Sequence, residues 1–414
     1  LEAAEVANAY QTIDHITKEA AFVLGNNTPF AQSVDRIYDP QFKGGGGKNG
    51  VTLRLRKPPR YVATAGSNLI QQDYIDESVT LTTATQYHVA IKIPVVDLTM
   101  SIEELSKRWI SPAMEPLVSR VEQDGLALYR QVYNSVGTPG TPPSTVSVLT
   151  DAQARLDQNA APRVINDRCL VVDPVANGKL IDGLKGLYHA NMSIEDQFRS
   201  GLFGKNIIGF REIAMGQNVQ THTGGLATGT PLVAGAAQLG TVLLTDGWTA
   251  SQTPILKAGD VFTLSGGANT VNSINPVSYQ SNGYRQPFTA TADVNSDAGG
   301  LASIPIAPAI ITSGARQTVT ASPSDNATIT MYGPSLGVSP QSMAFHTEAI
   351  VLGMADLELP EPGSGAKGST QQHKGMSITV VQQYAIQTYE NIYRIDVLYG
   401  WVLRRPEHVV RLWG

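Results

Sequence analysis

One cysteine, Cys169, stands in a chain of 414 residues. That scarcity excludes an intrachain disulfide and any cysteine-based zinc site, and it suits folding in a reducing compartment. Charge is sparse as well. Only 16% of residues are charged and the net charge is −5, so the basic face of a nucleic-acid reader is missing. No apolar run approaches the roughly 20 residues needed to span a bilayer, and no signal-peptide pattern is visible. The seven histidines (15, 88, 189, 222, 346, 373 and 408) show no HxH or HExxH spacing, and none lies near the cysteine or a carboxylate cluster at ligand spacing. A GxSxG elbow and a GxGxxG after a strand are both missing. Cys169 sits in the apolar run Cys169-Leu-Val-Val and reads as inert core. No catalytic residue, metal or cofactor is expected, although paired carboxylates doing acid–base work would leave no such signature.

What is present is 42% hydrophobic residues, enough for two or three cores, and 39 glycines and 24 prolines that cluster. The organising stretch is 101–136. Ser111 and Pro112 read as N-cap and first helical residue. Met114, Val118, Val121, Gly125, Leu128 and Val132 then form a stripe spaced 4, 3, 4, 3, 4, which predicts a helix from Ser111 to Val136. Glu115, Arg120, Glu122, Asp124 and Arg130 fall largely off it, on a wet side. Pro116 predicts a bend or a later start, and the Gly137–Pro143 cluster is the expected stop. The arrangement expected is a long helix across a sheet built from both chain ends.

Residues 2–24 carry a helical apolar face closed by Gly25 and Asn26, and so short a helix needs a surface of its own domain or of a neighbour. The run Gly44–Gly47 lacks the Walker spacing, since Phe42 and Asn49 stand where Gly and Ser or Thr belong. Gly45, Gly47 and Gly50 match GxGxxG, but a strand follows where a helix is needed. A flexible turn is expected. Val51, Leu53 and Leu55 alternate with polar residues, Pro58-Pro59 breaks that strand, and a return strand runs from Ser78 to Thr85. The outgoing side is basic (Arg54, Arg56, Lys57, Arg60) and the return is led in by acids (Asp73, Asp76, Glu77). A loop with so little apolar surface is either a solvated hairpin with internal ion pairs or an arm laid on a neighbouring copy.

Val89–Val95 is the next strand. After the long helix, Thr150–Gln153 is a capping-box pattern. Arg168–Val172 reads as a buried strand, Asp173-Pro174 caps a helix, Ser193 starts another, and Ile207–Ile213 is a strand, together an α/β domain. Gly183, Gly186, Gly201, Gly204 and Gly209 read as helix ends and turns. From His222 to Pro340 only eight residues are charged and turn signals such as Thr245-Asp-Gly, Lys257-Ala-Gly-Asp and Ser281-Asn-Gly separate short strands, among them Val261–Leu264, Pro287–Ala292 and Ala327–Met331. This predicts an inserted barrel or sandwich. Strand Ala349–Met354, a second glycine loop over Pro360–Ser369 and strands Met376–Tyr384, Tyr389–Tyr399 and His408–Trp413 complete the chain. Arg404-Arg405-Pro406-Glu407 turns between the last two.

The order of these pieces, with four local stretches, resembles the major capsid (coat) protein of tailed bacteriophages, in the branch typified by the Salmonella phage P-twenty-two. The stretches are Lys57-Pro-Pro-Arg60, Cys169-Leu-Val-Val-Asp-Pro174, Lys257-Ala-Gly-Asp-Val-Phe-Thr-Leu264, and Leu398-Tyr-Gly400 with Arg405-Pro-Glu407. The resemblance implies an α+β tailed-phage capsid fold with an inserted all-β barrel-like domain. Residues 1–48 would be an N-terminal arm and linker, 49–86 the extended loop, and 87–149 with 372–414 a peripheral domain holding the spine helix. Residues 150–221 and 341–371 would form an axial domain, and 222–340 the insert. In that family the insert supports folding and contacts neighbours through one loop, here placed at Asn269–Arg285; no covalent Lys–Asn cross-link is expected.

The implied function is self-assembly into the icosahedral shell around the phage genome, without enzymatic activity. Implied partners are copies in hexamers and pentamers, a scaffolding protein, a portal protein and, weakly, double-stranded DNA, with no membrane. The place is the virion, after assembly in the host bacterial cytoplasm. Candidate inter-subunit contacts are Arg54, Arg56, Lys57, Arg60, Asp73, Asp76, Glu77, Arg404, Arg405 and Glu407, and candidate hinges are Gly44, Gly45, Gly46, Gly47, Gly363 and Gly365. The rival readings are another virion component (adhesin or decoration protein) and a soluble carboxylate enzyme.

Overall fold

A computed structural model of the chain describes residues 2–37, 52–69, 71–73, 76–94, 106–163, 167–183, 204–267, 269–361, 363 and 365–414. The Gly44–Gly47 hinge run, Gly50, Val51, Val95, the start of the organising stretch over 101–105, Gly186, Gly201 and the helix expected from Ser193 lie outside those residues. Two compact units result. The first holds Leu1–Arg56, Ser78–Gly125 and Ile350–Val402; the second holds Lys57–Glu77, Leu126–Ala349 and Leu403–Gly414. The chain passes to the second unit after Gly125 and again after Val402, where Val409–Leu412 pairs with Ser342–His346 and Ser135–Val136.

The sheet of the first unit runs in the order Asp35–Ile37, Ile350–Ala355, Glu390–Leu403, Met376–Ala385, Ala366–His373, with Thr85–Pro94 also paired to Glu390–Leu403. Thr85 faces Tyr399 and Pro94 faces Glu390, antiparallel throughout. The terminal helix Glu2–Asn26 packs on Ala366–His373 and Met376–Ala385. Its buried Ile13, Ile16, Thr17, Ala20 and Leu24 keep helical spacing, so its own unit supplies the surface it needs. The second glycine loop is shorter than expected. Ala366–His373 is a strand with Gly368 opposite Val381, missed because Lys367, Ser369 and Gln371 give no apolar alternation. Gly363 and Gly365 remain in the turn at φ 97° and 75°.

The spine helix is α-helical over Ser111–Leu126, entered through a π turn at Ser106–Ile110 and left through a 3-10 turn at Ala127–Gln131. Ser111 is therefore not an N-cap, since helical turns precede it, and Pro116 sits inside without delaying the start. The expected run to Val136 is also corrected. Asn134 Nδ2 donates to the carbonyls of Glu407 and Val409, at 3.1 and 3.3 Å, and draws Ser135–Val136 into a parallel strand. The wet side is less wet than charge alone implies. Glu122 is buried, its carboxylate accepting Phe30 N–H at 2.9 Å. Asp124 accepts the Tyr399 hydroxyl at 2.7 Å and pairs with Arg120 at 3.3 Å.

The sheet of the second unit is mixed: Ser135–Val136, Val409–Leu412, Ser342–His346, Arg168–Val172, Phe210–Met215, Gly204–Ile207. Helices Val146–Gln158 and Pro174–Gly183 cover it, with Leu149, Leu156, Ala176 and Leu180 against Leu170, Val172, Phe210 and Val410. Asp173 caps the latter helix as expected, its Oδ2 accepting from Val175 N and Ala176 N at 3.1 and 3.2 Å. The former starts at Val146, so Thr150 lies inside it and bonds to the Ser147 carbonyl instead of opening a capping box. Ile207–Ile213 is a hairpin turning at Ile208-Gly209, not one strand, and Gly204 begins its first arm rather than a turn.

The insert closes into a six-stranded antiparallel barrel: Gly229–Val233, Gly240–Trp248, Ala302–Ile310, Pro287–Ala290, Val261–Ser265, Thr328–Met331. Phe262, Phe288, Leu243, Ile304 and Trp248 fill it. Its two ends are zipped together, Thr221–Thr223 on Val338–Pro340, with His222 opposite Ser339.

Gly125 is where the spine helix admits an aromatic pair. A Cβ there would come within 2.7 Å of both the Phe30 and Trp401 rings, which stack at 5.3 Å. Gly125→Val is expected to destabilise the chain by about 1–3 kcal/mol through overpacking, read as a lower urea midpoint with an unchanged slope.

Candidate functional site

The long-loop strands Thr52–Arg56 and Ser78–Thr82 pair in register, Thr52 with Thr82 and Arg56 with Ser78. Alternation turns Leu53 and Leu55 toward Leu81 and Val351 and leaves Arg54 and Arg56 exposed; Arg54 Nε donates to Ser78 Oγ. Beyond Arg56 the loop tip belongs to the second unit, held at its base by Lys57 N–H to the Glu77 carbonyl at 2.7 Å. There it lines a groove of about 430 Å³ with the turn Arg405–His408 and the flank of the barrel.

Of the expected contact residues, the groove brings together Lys57, Arg60, Glu77, Arg405 and Glu407. Arg60 pairs with Glu407 at 2.8 Å, and Glu77 pairs with Arg316 at 2.6 Å. The ion pairs are therefore internal to the chain but reach outside the loop, and each is exposed enough to set geometry more than stability. Asp73 is exposed on a neighbouring hollow with Tyr61 and Ala315, while Asp76 and Arg404 are half-buried beside the groove residues in sequence. Arg404 and Arg405 share the Ala349 carbonyl through their N–H groups at 2.8 and 3.1 Å. The 269–285 segment folds back on its own unit: Asn275 Nδ2 donates to the Gln158 carbonyl at 3.0 Å and the Tyr279 hydroxyl to Ala315 at 3.1 Å. Val277 at its tip is 73% exposed, and Asn269, Thr270, Ser278, Gln280, Ser281 and Gly283 are exposed too.

Arg316, His408 and Tyr133 were invisible as groove residues because the topology, not any local motif, delivers them. His408 is buried with His346, ring centroids 6.1 Å apart. Burial, followed by Arg405 and the His346 ring, pushes its imidazole down to about 3, and burial likewise lowers His346.

A second constellation pins the barrel to the sheet below it. Asp260 Oδ1 accepts from His222 Nε2 at 2.8 Å, and its Oδ2 from the N–H groups of Gly225 and Lys257 at 2.9 and 2.7 Å. His222 Nδ1 meets the Tyr129 hydroxyl at 3.2 Å. The Arg411 guanidinium, 1% exposed, donates to Gln341 Oε1 at 2.8 Å and the Gly259 carbonyl at 2.6 Å, and lies over the rings of Tyr129 and Trp413. Burial lowers it to about 10, still a cation at neutral pH. A Tyr–His–Asp chain of this kind resembles acid–base machinery, but every member is spent on a fixed partner, and the hollow that His222 and Asp260 line with Arg411 and Trp413 is only about 30 Å³. Its role is mechanical. One signal was in the sequence: Asp260 is one of few charges in the insert and closes the Lys257-Ala-Gly-Asp turn. Among the described residues no group of His, Cys, Asp and Glu could hold a metal ion, and no helix is long and apolar enough to cross a membrane.

A helix-bearing α/β body with a long charged loop and a zipped-in barrel is the layout of a shell-building capsid protein. The family model described as P22 coat protein – gene protein 5 matches residues 8–414, and the chain belongs to that family. It is a major capsid protein that forms the phage shell, a structural protein and not an enzyme. No curated protein sequence matches the chain. Similar solved structures include one from Mycobacterium phage Che8, 13% identical over 93% of this chain and 90% of that one, with a TM-score of 0.44. The capsid of Cyanophage P-SCSP1u is 12% identical over 93% and 88%, with a TM-score of 0.41. A virus-like particle from Pyrococcus furiosus is 7% identical over 97% and 99%, with a TM-score of 0.43.

Asp260→Ala leaves Arg411 and His222 buried without their carboxylate and is expected to cost about 3–5 kcal/mol, whereas Lys257→Ala, which keeps the backbone donor, stays within about 0.5 kcal/mol; urea unfolding of the full chain compares them. Acid is the second lever. His346 and His408 are neutral in the folded chain but titrate near 6.5 once unfolded, so stability is full above that value and falls as pH drops below it. At pH 5, His408 alone removes about 2 kcal/mol relative to pH 7.5, and His408→Gln flattens that slope in a pH series of thermal melts.

Proposed function

We propose that the chain tiles an icosahedral shell around the phage genome as hexamers and pentamers, and that the charged long loop is the element by which one copy engages the next. The observation that carries this reading is the groove rim. Arg60, Glu77, Glu407 and Arg316 hold the loop tip in a defined pose, while Lys57 and Arg405 beside them have no ion-pair partner among the described residues. A tip fixed in pose but left with open charge is suited to a neighbour. Asp73, Asp76 and Arg404 are further proposed contacts in the tip's unit, and Arg54 and Arg56 are proposed contacts on the loop strands of the other.

A closed shell needs one chain to make unlike contacts that close into rings, with compliant joints for different curvatures. Gly44, Gly45, Gly46 and Gly47, and Gly363 and Gly365, are the proposed joints. Residues 1–48 serve as arm and linker, 49–86 as extended loop, and 222–340 as a folding support whose 269–285 segment reaches a neighbour through its exposed tip. In the peripheral and axial roles stand 87–149 with 372–414, and 150–221 with 341–371. The partners are scaffolding protein, portal protein and packaged double-stranded DNA, met in the host cytoplasm. The net charge of −5 supports only weak, salt-sensitive DNA contact, which leaves packaging unhindered.

Arg54→Glu with Arg56→Glu tests the loop. Both side chains are exposed, so monomer melting should shift by less than about 0.5 kcal/mol while negative-stain images show loss of shells. Normal shells from this variant would remove these residues from the interface.

A further inference from the structure

The groove at the loop tip has a chemically matched occupant elsewhere in the sequence. Its walls include Pro276, Val277, Pro308 and Ile311, and its open cations are Lys57 and Arg405. After strand Ile350–Ala355 comes the stretch Leu357-Glu-Leu-Pro-Glu361, which has no helix or strand. Glu358 and Glu361 are exposed and have no ion-pair partner among the described residues. Leu359 is 42% exposed, although it and Pro360 rest on the backbone of Gly368, where an added Cβ would come within 2.8 Å of both side chains. The stretch is thereby held proud of its sheet on a seat only glycine provides. Proline favours polyproline geometry with three residues per turn, which places Glu358 and Glu361 on one side.

We propose that the groove of one copy receives residues 357–361 of a second copy, Glu358 and Glu361 meeting Lys57 and Arg405 while Leu359 covers the proline-lined wall. Two carboxylates spaced one polyproline turn apart answer two uncompensated cations flanking an apolar floor. Surfaces so unlike each other make a head-to-tail contact, the kind that closes rings. The inference rests on the reading that the loop tip is an interface between copies, and it names what that interface grips.

The test uses the full chain. Lys57→Glu with Arg405→Glu reverses the groove, Glu358→Lys with Glu361→Lys reverses the segment, and a third variant carries all four. Each double reversal is expected to lower shell yield by about tenfold or more, and the quadruple variant to return it to within about threefold of the parent, with thermal melts confirming that each chain is folded. Arg405→Cys with Glu361→Cys, oxidised after assembly, should give a ladder of linked chains on a non-reducing gel; Cys169 is buried and contributes none. Rescue together with the ladder supports the pairing. Loss of shells from the groove reversal without rescue or ladder keeps the loop tip as an interface and overturns this occupant. Normal shells from both double reversals overturn the occupant and the interface reading of Lys57 and Arg405 together. The cysteine pair decides the question even where a charge reversal prevents folding.

Discussion

The second unit depends on satisfying one buried cation. Arg411 sits on the strand Val409–Leu412, and its guanidinium is met by Gln341 at the neck of the insert, by the Gly259 carbonyl inside it and by the ring of Tyr129 past the spine helix. Three stretches far apart in sequence must be in place before that charge is tolerable. Asp260 supplies the opposite sign nearby and is itself held by His222 and two backbone N–H groups. A barrel joined to a body through two thin strands would otherwise be free to swing. The polar lock fixes its pose at the cost of burying ions, which is the use of buried charge best suited to setting geometry.

The first unit solves a similar problem with shape and hydrogen bonds. The Trp401 indole donates to the Val121 carbonyl at 3.1 Å and stacks on Phe30 over Gly125, while Glu122 caps Phe30. Here the helix is fixed by a glycine notch and a carboxylate rather than by a buried cation. The chain crosses between the units after Arg56, Glu77, Gly125, Ala349 and Val402. Each unit therefore joins pieces from both ends of the sequence, and the second also takes its whole middle.

Legibility followed the period of the apolar residues. The barrel strands Val261–Ser265 and Thr328–Met331 and the terminal pair Met376–Ala385 and Glu390–Leu403 were readable because turn residues bracket alternating or continuous apolar runs. Apolar spacing overstates the spine helix because Leu128 and Val132 continue it, whereas Ser135–Val136 pairs with the distant strand Val409–Leu412. Ala366–His373 was hidden by its polar alternation. The groove is half legible: Lys57, Arg60 and Glu77 stand in the charged loop and Arg405 and Glu407 in the terminal turn, but Arg316, His408 and Tyr133 arrive from distant elements that no local pattern announces. The lock was less visible still, since His222 and Arg411 carry no motif and only the Asp260 turn stood out.

Both sheets take an inner strand from late in the chain. Glu390–Leu403 lies within the first and Val409–Leu412 within the second. Until those strands are laid in, each sheet has an open edge where its middle should be. Closing it requires pairings across long sequence separation, Thr85–Pro94 with Glu390–Leu403 and Ser135–Val136 with Val409–Leu412. Contacts of that kind form slowly, so both cores are completed late in folding.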